Sequence, residues 1–171
     1  VGGASSKLSK LPSHRNTDTA THDPMRFDVL TLFPDMFSGY VAQSLLAKAI
    51  AADRVAVHLH DIRDWACGKH RQVDDRPYGG GPGMVMLAEP LSCSIQSARE
   101  AIPGGKVIYL SPQGQRFDQG KALEMSRAEG VVFVAGRYEG VDERLIESRV
   151  DEEWSIGDYV LSGGELPAMV M

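Results

Sequence analysis

Apolar residues recur from residue 25 onward in short blocks whose spacing alternates between that of strands and that of helices. The pattern predicts strands at Arg26–Phe33, Val55–Ile62, Lys106–Leu110, Val131–Ala135 and Trp154–Ile156, and helices at Tyr40–Ala52, Ala88–Ala101, Gln119–Ala128 and Val141–Ser148, with a last helix starting near Glu165. Strands that alternate with helices favour an α/β layer structure with a mostly parallel sheet.

The two ends of the chain depart from this pattern. Residues 1–24 are rich in Ser, Thr, Gly and Pro and almost lack large apolar side chains, so we expect a disordered tail there. Residues 25–171 are expected to form one domain without an internal linker. The last residues, Glu165–Met171, are apolar and resemble the start of a core helix, whereas natural termini are usually polar. We therefore expect that the chain is truncated after Met171.

The composition is that of an ordinary globular domain: of 171 residues, 43% are hydrophobic and 24% are charged. No apolar run approaches the roughly 18 residues that a membrane helix needs. Cys67 and Cys93 lack a CxxC partner and fit a reduced, cytoplasmic protein. The formal net charge of −5 argues against binding nucleic acid through a bulk positive field, although a local basic strip could still contact RNA.

The segment after the first predicted strand lacks the glycines of a nucleotide-binding turn. A Rossmann-type domain carries its Gly-rich phosphate turn directly after strand one, but here the residues at 33–37 are FPDMF. A phosphate-binding P-loop, GxxxxGK followed by Ser or Thr, is also missing from the sequence. Both observations disfavour the common dinucleotide-binding and methyltransferase folds.

Glycines instead concentrate in three later loops, Arg76–Met84, Gly136–Gly140 and Ile156–Glu165. The latter two follow the carboxyl ends of consecutive predicted strands, as does the Ser111–Gly114 turn, and open α/β sheets bind ligands at that edge. Glycine would serve there because a Cβ blocks the close approach of backbone to a ligand. Each loop taken alone also reads as an ordinary turn, so it is the combination that predicts a binding site.

A basic strip at residues 63–76, RDWACGKHRQVDDR, precedes the first Gly-rich loop. The strip could contact phosphates through its cations, and it leads into what would then be a mobile Gly-rich loop. Its two aspartates, Asp74 and Asp75, could accept hydrogen bonds from a base edge. The alternative is a solvated charged loop whose aspartates pair with neighbouring arginines. His58 and His60 share one face of a predicted strand. Two histidines without a third ligand are more often structural or solvent-facing than metal-binding.

Five stretches of the sequence resemble the bacterial TrmD family, tRNA (guanine-N1)-methyltransferases of the SPOUT superfamily. In chain order they are LTLFPDMF at 30–37, VDDRPYGGGPGM at 73–84, VIYLSPQG at 107–114, GRYEGVDER at 136–144 and DEEWSIGDYVLSGGELPA at 151–168. The resemblance implies a mostly parallel sheet with helices on both faces and a C-terminal deep trefoil knot, a feature too rare to propose from pattern. It also implies an antiparallel homodimer with the site at the interface.

The resemblance further implies that S-adenosyl-L-methionine lies bent in the knot, held by backbone groups of Gly136, Ile156, Tyr159 and Leu161. The full set of cofactor-binding residues that it implies is Tyr109, Leu110, Ser111, Pro112, Gly114, Gly136, Arg137, Tyr138, Glu139, Gly140, Ile156, Gly157, Asp158, Tyr159, Val160, Leu161, Ser162, Gly163 and Gly164. The surface that would meet tRNA comprises Lys69, His70, Arg71, Asp74, Asp75 and Arg76.

The implied reaction is methylation of N1 of the guanine 3′ to the anticodon. Because N1 of neutral guanine carries a proton, a general base must remove it, whereas the sulfonium is already a strong methyl donor that needs mainly alignment. In the family that base is an aspartate in the linker after the knot domain, and a supporting arginine and a tRNA-gripping domain follow. All would fall after Met171, so we expect no catalytic residue in 1–171, and no metal site.

Two alternatives to this reading stay open. The polypeptide could be a non-catalytic fragment that binds S-adenosyl-L-methionine or RNA, or it could belong to another SPOUT RNA methyltransferase with a different target. The match at 73–84 disfavours the second alternative.

Overall fold

The computed structural model describes residues 23–171, so residues 1–22 of the predicted disordered tail lie outside the described residues. The strands within this range are β1 (Met25–Thr31), β2 (Val55–Asp61), β3 (Asp74–Asp75), β4 (Val85–Met86), β5 (Lys106–Arg116), β6 (Gly130–Val134) and β7 (Glu152–Ser155). The α-helices are α1 (Ser38–Val41), α2 (Ser44–Ala51), α3 (Ala88–Ala101), α4 (Gln119–Met125), α5 (Glu143–Arg149) and α6 (Glu165–Val170), and single 3-10 turns occupy Pro34–Phe37 and Ile62–Trp65.

A five-stranded sheet with the order β2-β1-β6-β5-β7 forms the centre of the fold, and every pairing in it is parallel. The predicted α/β class and parallel sheet are therefore confirmed. Parallel strands end at one common edge, so the loops that follow β5, β6 and β7, which are neighbours in the sheet, begin side by side. The remaining strands, β3 and β4, form a small antiparallel hairpin.

Helices cover both faces of this sheet, as predicted. Val132 and Val134 of β6 belong to a core shared with α3 and α5, whereas the intervening Val131 and Phe133 belong to a second core shared with α4 and α6. Successive side chains of a strand point to opposite faces, so a wholly apolar strand such as β6 can fill both cores. No helix within 23–171 has the length and apolar composition needed to cross a membrane.

The predicted single helix at Tyr40–Ala52 is wrong, because the chain breaks between α1 and α2. Gln43 has extended backbone dihedral angles, and Ser44 has a φ of 58°, which no continuous right-handed helix contains. Apolar spacing indicates which face of a segment is buried but not whether the backbone is continuous. Because the spacing continues from α1 into α2, it does not reveal the break between them. Leu45, which the pattern places on the buried face, is 77% exposed.

The predicted turn at Ser111–Gly114 lies inside a strand. β5 runs six residues beyond its predicted end at Leu110, to Arg116, and Trp154 of β7 pairs with both Leu110 and Gln115. Residues 111–114 therefore bulge out of one strand. The Ser111 side chain stabilises the bulge by accepting a hydrogen bond from the Gln113 amide at 3.1 Å.

Candidate functional site

A cleft of about 280 Å³ opens at the carboxyl edge of β5, β6 and β7. Its walls are the bulge of β5, the loop at 136–141 after β6 and the loop at 156–164 after β7. Ligand pockets typically measure about 300 to 1,000 Å³, so the volume of this cleft is just below the lower end of that range. Its position is the one that the Gly-rich loops predict.

All of the predicted cofactor-binding residues line this cleft except Gly114 and Asp158. Gly114 packs against the backbone of Glu153 and Trp154, and a Cβ on it would collide with both. Its role is thus to let β5 and β7 approach each other. Asp158 is an exposed residue of the third loop.

Several lining residues are absent from the predicted cofactor-binding set: Gln113, which lies within the predicted turn at Ser111–Gly114, and Val141, Glu143, Ile146, Glu153, Trp154, Ser155 and Pro167. Most of them belong to regular elements or directly adjoin them, where the sequence signal is that of a strand or an amphipathic helix. Three-dimensional packing turns one end of each element toward the cleft. Neither periodicity nor glycine content marks that end.

Close packing between the loops explains the glycine at position 136. A Cβ there would lie 2.7 Å from Cε2 of Tyr109 and 2.8 Å from its hydroxyl. Similarly, a Cβ on Gly164 would lie 2.6 Å from the Ala135 Cα. The predicted reason, space for the ligand, needs correction here, because the space is taken by the protein's own neighbouring loops.

The cleft has acidic and phenolic groups near its floor. Glu139, Glu143 and Glu153 contribute carboxylates to the lining. Burial raises the pKa of Tyr109 to about 12, and the charges of Glu153 and Glu143 act in the same direction. The Tyr109 hydroxyl therefore stays protonated at neutral pH and can donate a hydrogen bond into the cleft.

Arg137 has its side chain committed to the protein. Its Nε donates to Glu165 Oε1 at 3.1 Å, its Nη1 donates to the Ser162 carbonyl at 3.0 Å, and its guanidinium carbon lies 4.5 Å from the centre of the Phe33 ring. The Arg137 guanidinium thus has protein partners on Glu165, Ser162 and Phe33, and a cofactor contact by this residue stays a prediction. In the sequence, Glu165 ends the third Gly-rich loop and begins the last predicted helix, and neither feature predicts a buried carboxylate.

The β3–β4 hairpin joins the first Gly-rich loop to the second wall of the cleft. The Glu139 amide donates to the Met84 carbonyl at 2.9 Å, and the Met86 amide donates to the Gly140 carbonyl at 3.1 Å. Burial raises the pKa of the Tyr138 phenol, and the charge of the nearby Asp74 raises it further. The segment predicted to face tRNA and the loop predicted to bind the cofactor are therefore neighbours.

The predicted tRNA-facing residues do not all present free charges. Arg71 pairs with Asp64 at 3.0 Å, and Asp75 accepts a hydrogen bond from the Arg76 backbone amide at 2.7 Å. Lys69 and His70 are exposed. The Arg71 side chain is thus both paired with Asp64 and 63% exposed, and contact of residues 69–76 with tRNA stays a prediction.

The two strand histidines lie together, away from the cleft. The rings of His58 and His60 stack with centroids 6.5 Å apart, and His60 Nε2 is 3.5 Å from Asp28 Oδ1. Asp28 is fully buried and also accepts two hydrogen bonds from Arg26 at 3.0 Å. Burial alone would raise the Asp28 pKa, but hydrogen bonding by His60 and Arg26 outweighs it and lowers the pKa.

Comparison with known proteins gives one consistent result. A family model described as tRNA (Guanine-1)-methyltransferase TrmD matches residues 25–171. Two curated relatives, each named tRNA (guanine-N(1)-)-methyltransferase, are 55% identical over 148 residues and 86% of this chain; that from Methylococcus capsulatus is covered over 59% of its length and that from Chloroflexus aggregans over 58%. The chain thus spans less than two thirds of either relative.

Among solved structures, the crystal structure of tRNA (m1G37) methyltransferase from Aquifex aeolicus is similar, with a TM-score of 0.78 and 40% sequence identity. The similarity covers 86% of this chain and 66% of that chain.

Proposed function

Because the chain belongs to the tRNA (guanine-1)-methyltransferase TrmD family, we propose that its cleft binds S-adenosyl-L-methionine and that the protein methylates N1 of the guanine 3′ to the tRNA anticodon. The observation that carries this proposal is the convergence of three loops on one cleft at the carboxyl edge of three adjacent parallel strands. All of the lining residues except Ile146 belong to the segments on which the family resemblance rests.

The chemistry of the lining fits this cofactor. S-adenosyl-L-methionine supplies an electrophilic methyl group on a positively charged sulfonium when it is bound. The carboxylates of Glu139, Glu143 and Glu153 give the cleft a negative potential that favours such a cation. Leu110 and Ile156 add apolar surface for a flat aromatic group.

The residues of this chain mainly bind and orient in the proposed reaction. Backbone groups of the second and third loops can fix a ligand without the rotamer freedom of long side chains, and the Tyr109 hydroxyl adds a neutral donor. Tyr138 belongs to the second loop and lies next to Asp74, so it connects this loop with the segment assigned to tRNA. Alignment of two reactants is the larger part of the task for an already reactive methyl donor.

A trefoil knot in the C-terminal part is a further part of the proposal. After β7, at the sheet edge, the chain returns toward the middle of the sheet, where the Gly164 amide donates to the Gly136 carbonyl at 3.0 Å. Such a return is compatible with threading through the loop between β5 and β6. Single-molecule pulling tests it, since a tied chain reaches a shorter fully stretched length than an untied chain of the same number of residues.

A homodimer is also proposed, with the cleft near the interface. Tyr40 of α1, Leu45 of α2, and Leu166 and Val170 of α6 are each about half exposed or more, and α6 also contributes Pro167 to the cleft lining. Exposed apolar groups of this size are favourable in an interface. Sedimentation equilibrium should give twice the 18.6 kDa chain mass. A monomer at tens of micromolar would contradict the dimer.

A cytoplasmic location is proposed as well, because tRNA is the proposed substrate and Cys67 and Cys93 are free thiols.

Calorimetric titration of the 171-residue polypeptide with S-adenosyl-L-methionine and with S-adenosylhomocysteine tests the cofactor proposal. We expect saturable heat with a 1:1 stoichiometry per chain for both ligands. Circular dichroism checks that the protein is folded. If the folded protein gives no heat at high micromolar ligand, the cofactor proposal is wrong. Adenosine serves as the control ligand, because it lacks the charged methionine part and should bind more weakly.

The expectation that the family's general base lies beyond Met171 is tested by turnover. Radiolabelled methyl transfer to an unmodified tRNA transcript should be undetectable with the 171-residue polypeptide and present with a version extended to the length of its relatives. Comparable rates would place the proton acceptor within 1–171, where Glu139, Asp158 and Asp74 are the candidates. Cofactor binding without methyl transfer in either version would favour a non-catalytic binding protein, and transfer to another nucleotide would indicate a different RNA target.

A further inference from the structure

Glu165, the first residue of α6, is a buried carboxylate beside the cleft that plays no part in the proposed reaction. Its side chain is 1% exposed. Thr31 Oγ1 donates to Oε1 at 2.8 Å, Arg137 Nε donates to the same oxygen at 3.1 Å, and Arg137 Nη2 lies 2.9 Å from Oε2 in ion-pair geometry. A buried charge is costly unless it is paired and hydrogen-bonded. Loss of either Thr31 or Arg137 as a partner should therefore destabilise the buried Glu165 carboxylate.

The ion pair joins two walls of the cleft. Arg137 belongs to the loop after β6, and Glu165 directly follows the loop after β7. Two hydrogen bonds run parallel to the pair, from Arg137 Nη1 to the Ser162 carbonyl at 3.0 Å and from the Gly164 amide to the Gly136 carbonyl at 3.0 Å. The second and third loops are therefore tied to each other at the side chain and at the backbone.

Close packing around the Arg137–Glu165 ion pair fixes the positions of both side chains. A Cβ on Gly163 would collide with the side chains of both Arg137 and Glu165, so the third loop is in close contact with the pair. The Phe33 ring covers the guanidinium, and the Phe33 amide donates to Thr31 Oγ1 at 2.9 Å. Because Glu165 neutralises Arg137, the arginine has little charge left for a ligand.

We infer that Arg137 and Glu165 are positioning residues whose ion pair holds the second and third loops in the closed arrangement that binds the cofactor. The cofactor part of this inference rests on the proposed function, whereas the loop part does not. If losing the pair leaves the cleft closed only about one tenth of the time, the apparent Kd rises about tenfold with unchanged contacts to the ligand.

Three variants test the inference in the full 171-residue chain. Glu165→Gln keeps the shape and one acceptor but removes the charge. Arg137→Lys keeps the charge but cannot donate to Glu165 and Ser162 in the same fork-like geometry. Asp28→Asn is the matched control, because Asp28 is equally buried, is paired with an arginine and lies on β1 away from the cleft.

Amide hydrogen exchange of the ligand-free protein gives the first measurement. Gly164 reports the contact between the loops, and Ala135, whose amide donates to the Leu30 carbonyl, reports the sheet beneath them. Glu165→Gln should speed exchange at Gly164 about tenfold more than at Ala135, Arg137→Lys should do so to a smaller extent, and Asp28→Asn should change both amides alike. Equal changes at the two amides in Glu165→Gln would overturn the inference.

Calorimetry with S-adenosyl-L-methionine gives the second measurement. The Kd should rise in Glu165→Gln and Arg137→Lys but not in Asp28→Asn, even where the loss of thermal stability is the same. An equal rise in Asp28→Asn would reduce the pair to a general stability role and contradict the inference. Absence of binding in the unmodified chain would refute the proposed function instead, and the exchange measurement would still decide the loop inference. If Glu165→Gln does not fold, Arg137→Lys carries both measurements.

Discussion

At the scale of single residues, the cleft depends on where side chains are missing as much as on where they are present. Gly136 leaves room for the Tyr109 ring, and Gly164 leaves room for the backbone at Ala135. Such contacts join loops that are remote in sequence, and a collision with a ring or with backbone cannot be relieved cheaply. Substitutions at these glycines should therefore alter the protein before any ligand arrives.

Replacing Gly136 by Val should abolish cofactor binding and lower the free energy of unfolding by about 1 to 3 kcal/mol, because a Cβ is forced against Tyr109. Urea unfolding and calorimetry check the two effects. Gly39→Ala is the matched control. Gly39 lies in α1, and a Cβ on it would meet nothing within 4 Å. Normal stability of Gly136→Val with lost binding would show that the space belongs to the ligand after all.

Tyr109 should make stability fall between about pH 10 and 12. Burial raises its pKa from 10.0 to about 12, so in this window the phenol ionises in the unfolded chain but not in the folded one. The unfolded state then binds fewer protons, and stability present below pH 10 is lost as the pH rises, by about 2 to 3 kcal/mol in total. Urea unfolding at pH 9 and pH 11.5 measures it. Tyr109→Phe should remove this part of the pH dependence; an unchanged slope would contradict the assignment.

At the scale of elements, the break between α1 and α2 places a non-glycine residue, Ser44, at a φ of 58°. This left-handed conformation costs about 1 to 2 kcal/mol for an L-residue, whereas glycine adopts it freely. Ser44→Gly should therefore keep or raise the free energy of unfolding, by up to about 1 kcal/mol after the greater freedom of the unfolded chain is subtracted. Ser38→Gly, with an ordinary φ of −55°, should instead lower it by about 0.5 to 1 kcal/mol. Urea denaturation ranks the two, and the reverse order would refute the strain.

The sequence predicted elements best where one physical signal dominates. β6 is buried on both faces and α3 has strong helical periodicity, and both were predicted to within one residue. For residues 111–114 the sequence predicts a turn and not a bulge, because only the second pairing of Trp154 reveals that β5 continues past them. The hairpin of β3 and β4 is too short for alternation to be visible. The cleft loops were predictable from glycines, but the Arg137–Glu165 pair was not, because its members meet only through tertiary packing.

At the scale of the whole molecule, the charge distribution limits how RNA could bind. The net charge is −5, so a polyanion is repelled at long range and any attraction must be local. The exposed Lys69 and His70 and the Arg76 that follows lie along the segment that the hairpin joins to the cleft. Affinity for RNA should therefore be weak and steeply dependent on salt.

The salt dependence of RNA binding then distinguishes a local basic strip from diffuse attraction. Each cation that contacts a phosphate contributes about 0.7 to 0.9 to the slope of log affinity against log salt, so Lys69→Gln or Arg76→Gln should each reduce the slope by about that amount. Arg71→Gln should reduce it less, because Arg71 is already paired with Asp64 at 3.0 Å. Arg127→Gln is the matched control: Arg127 is exposed and precedes β6, at the opposite edge of the sheet from the cleft.

Fluorescence anisotropy of a labelled anticodon stem-loop over a salt series measures the slopes. If Arg127→Gln lowers the slope as much as Lys69→Gln does, the attraction is diffuse and the assignment of residues 69–76 to tRNA is wrong.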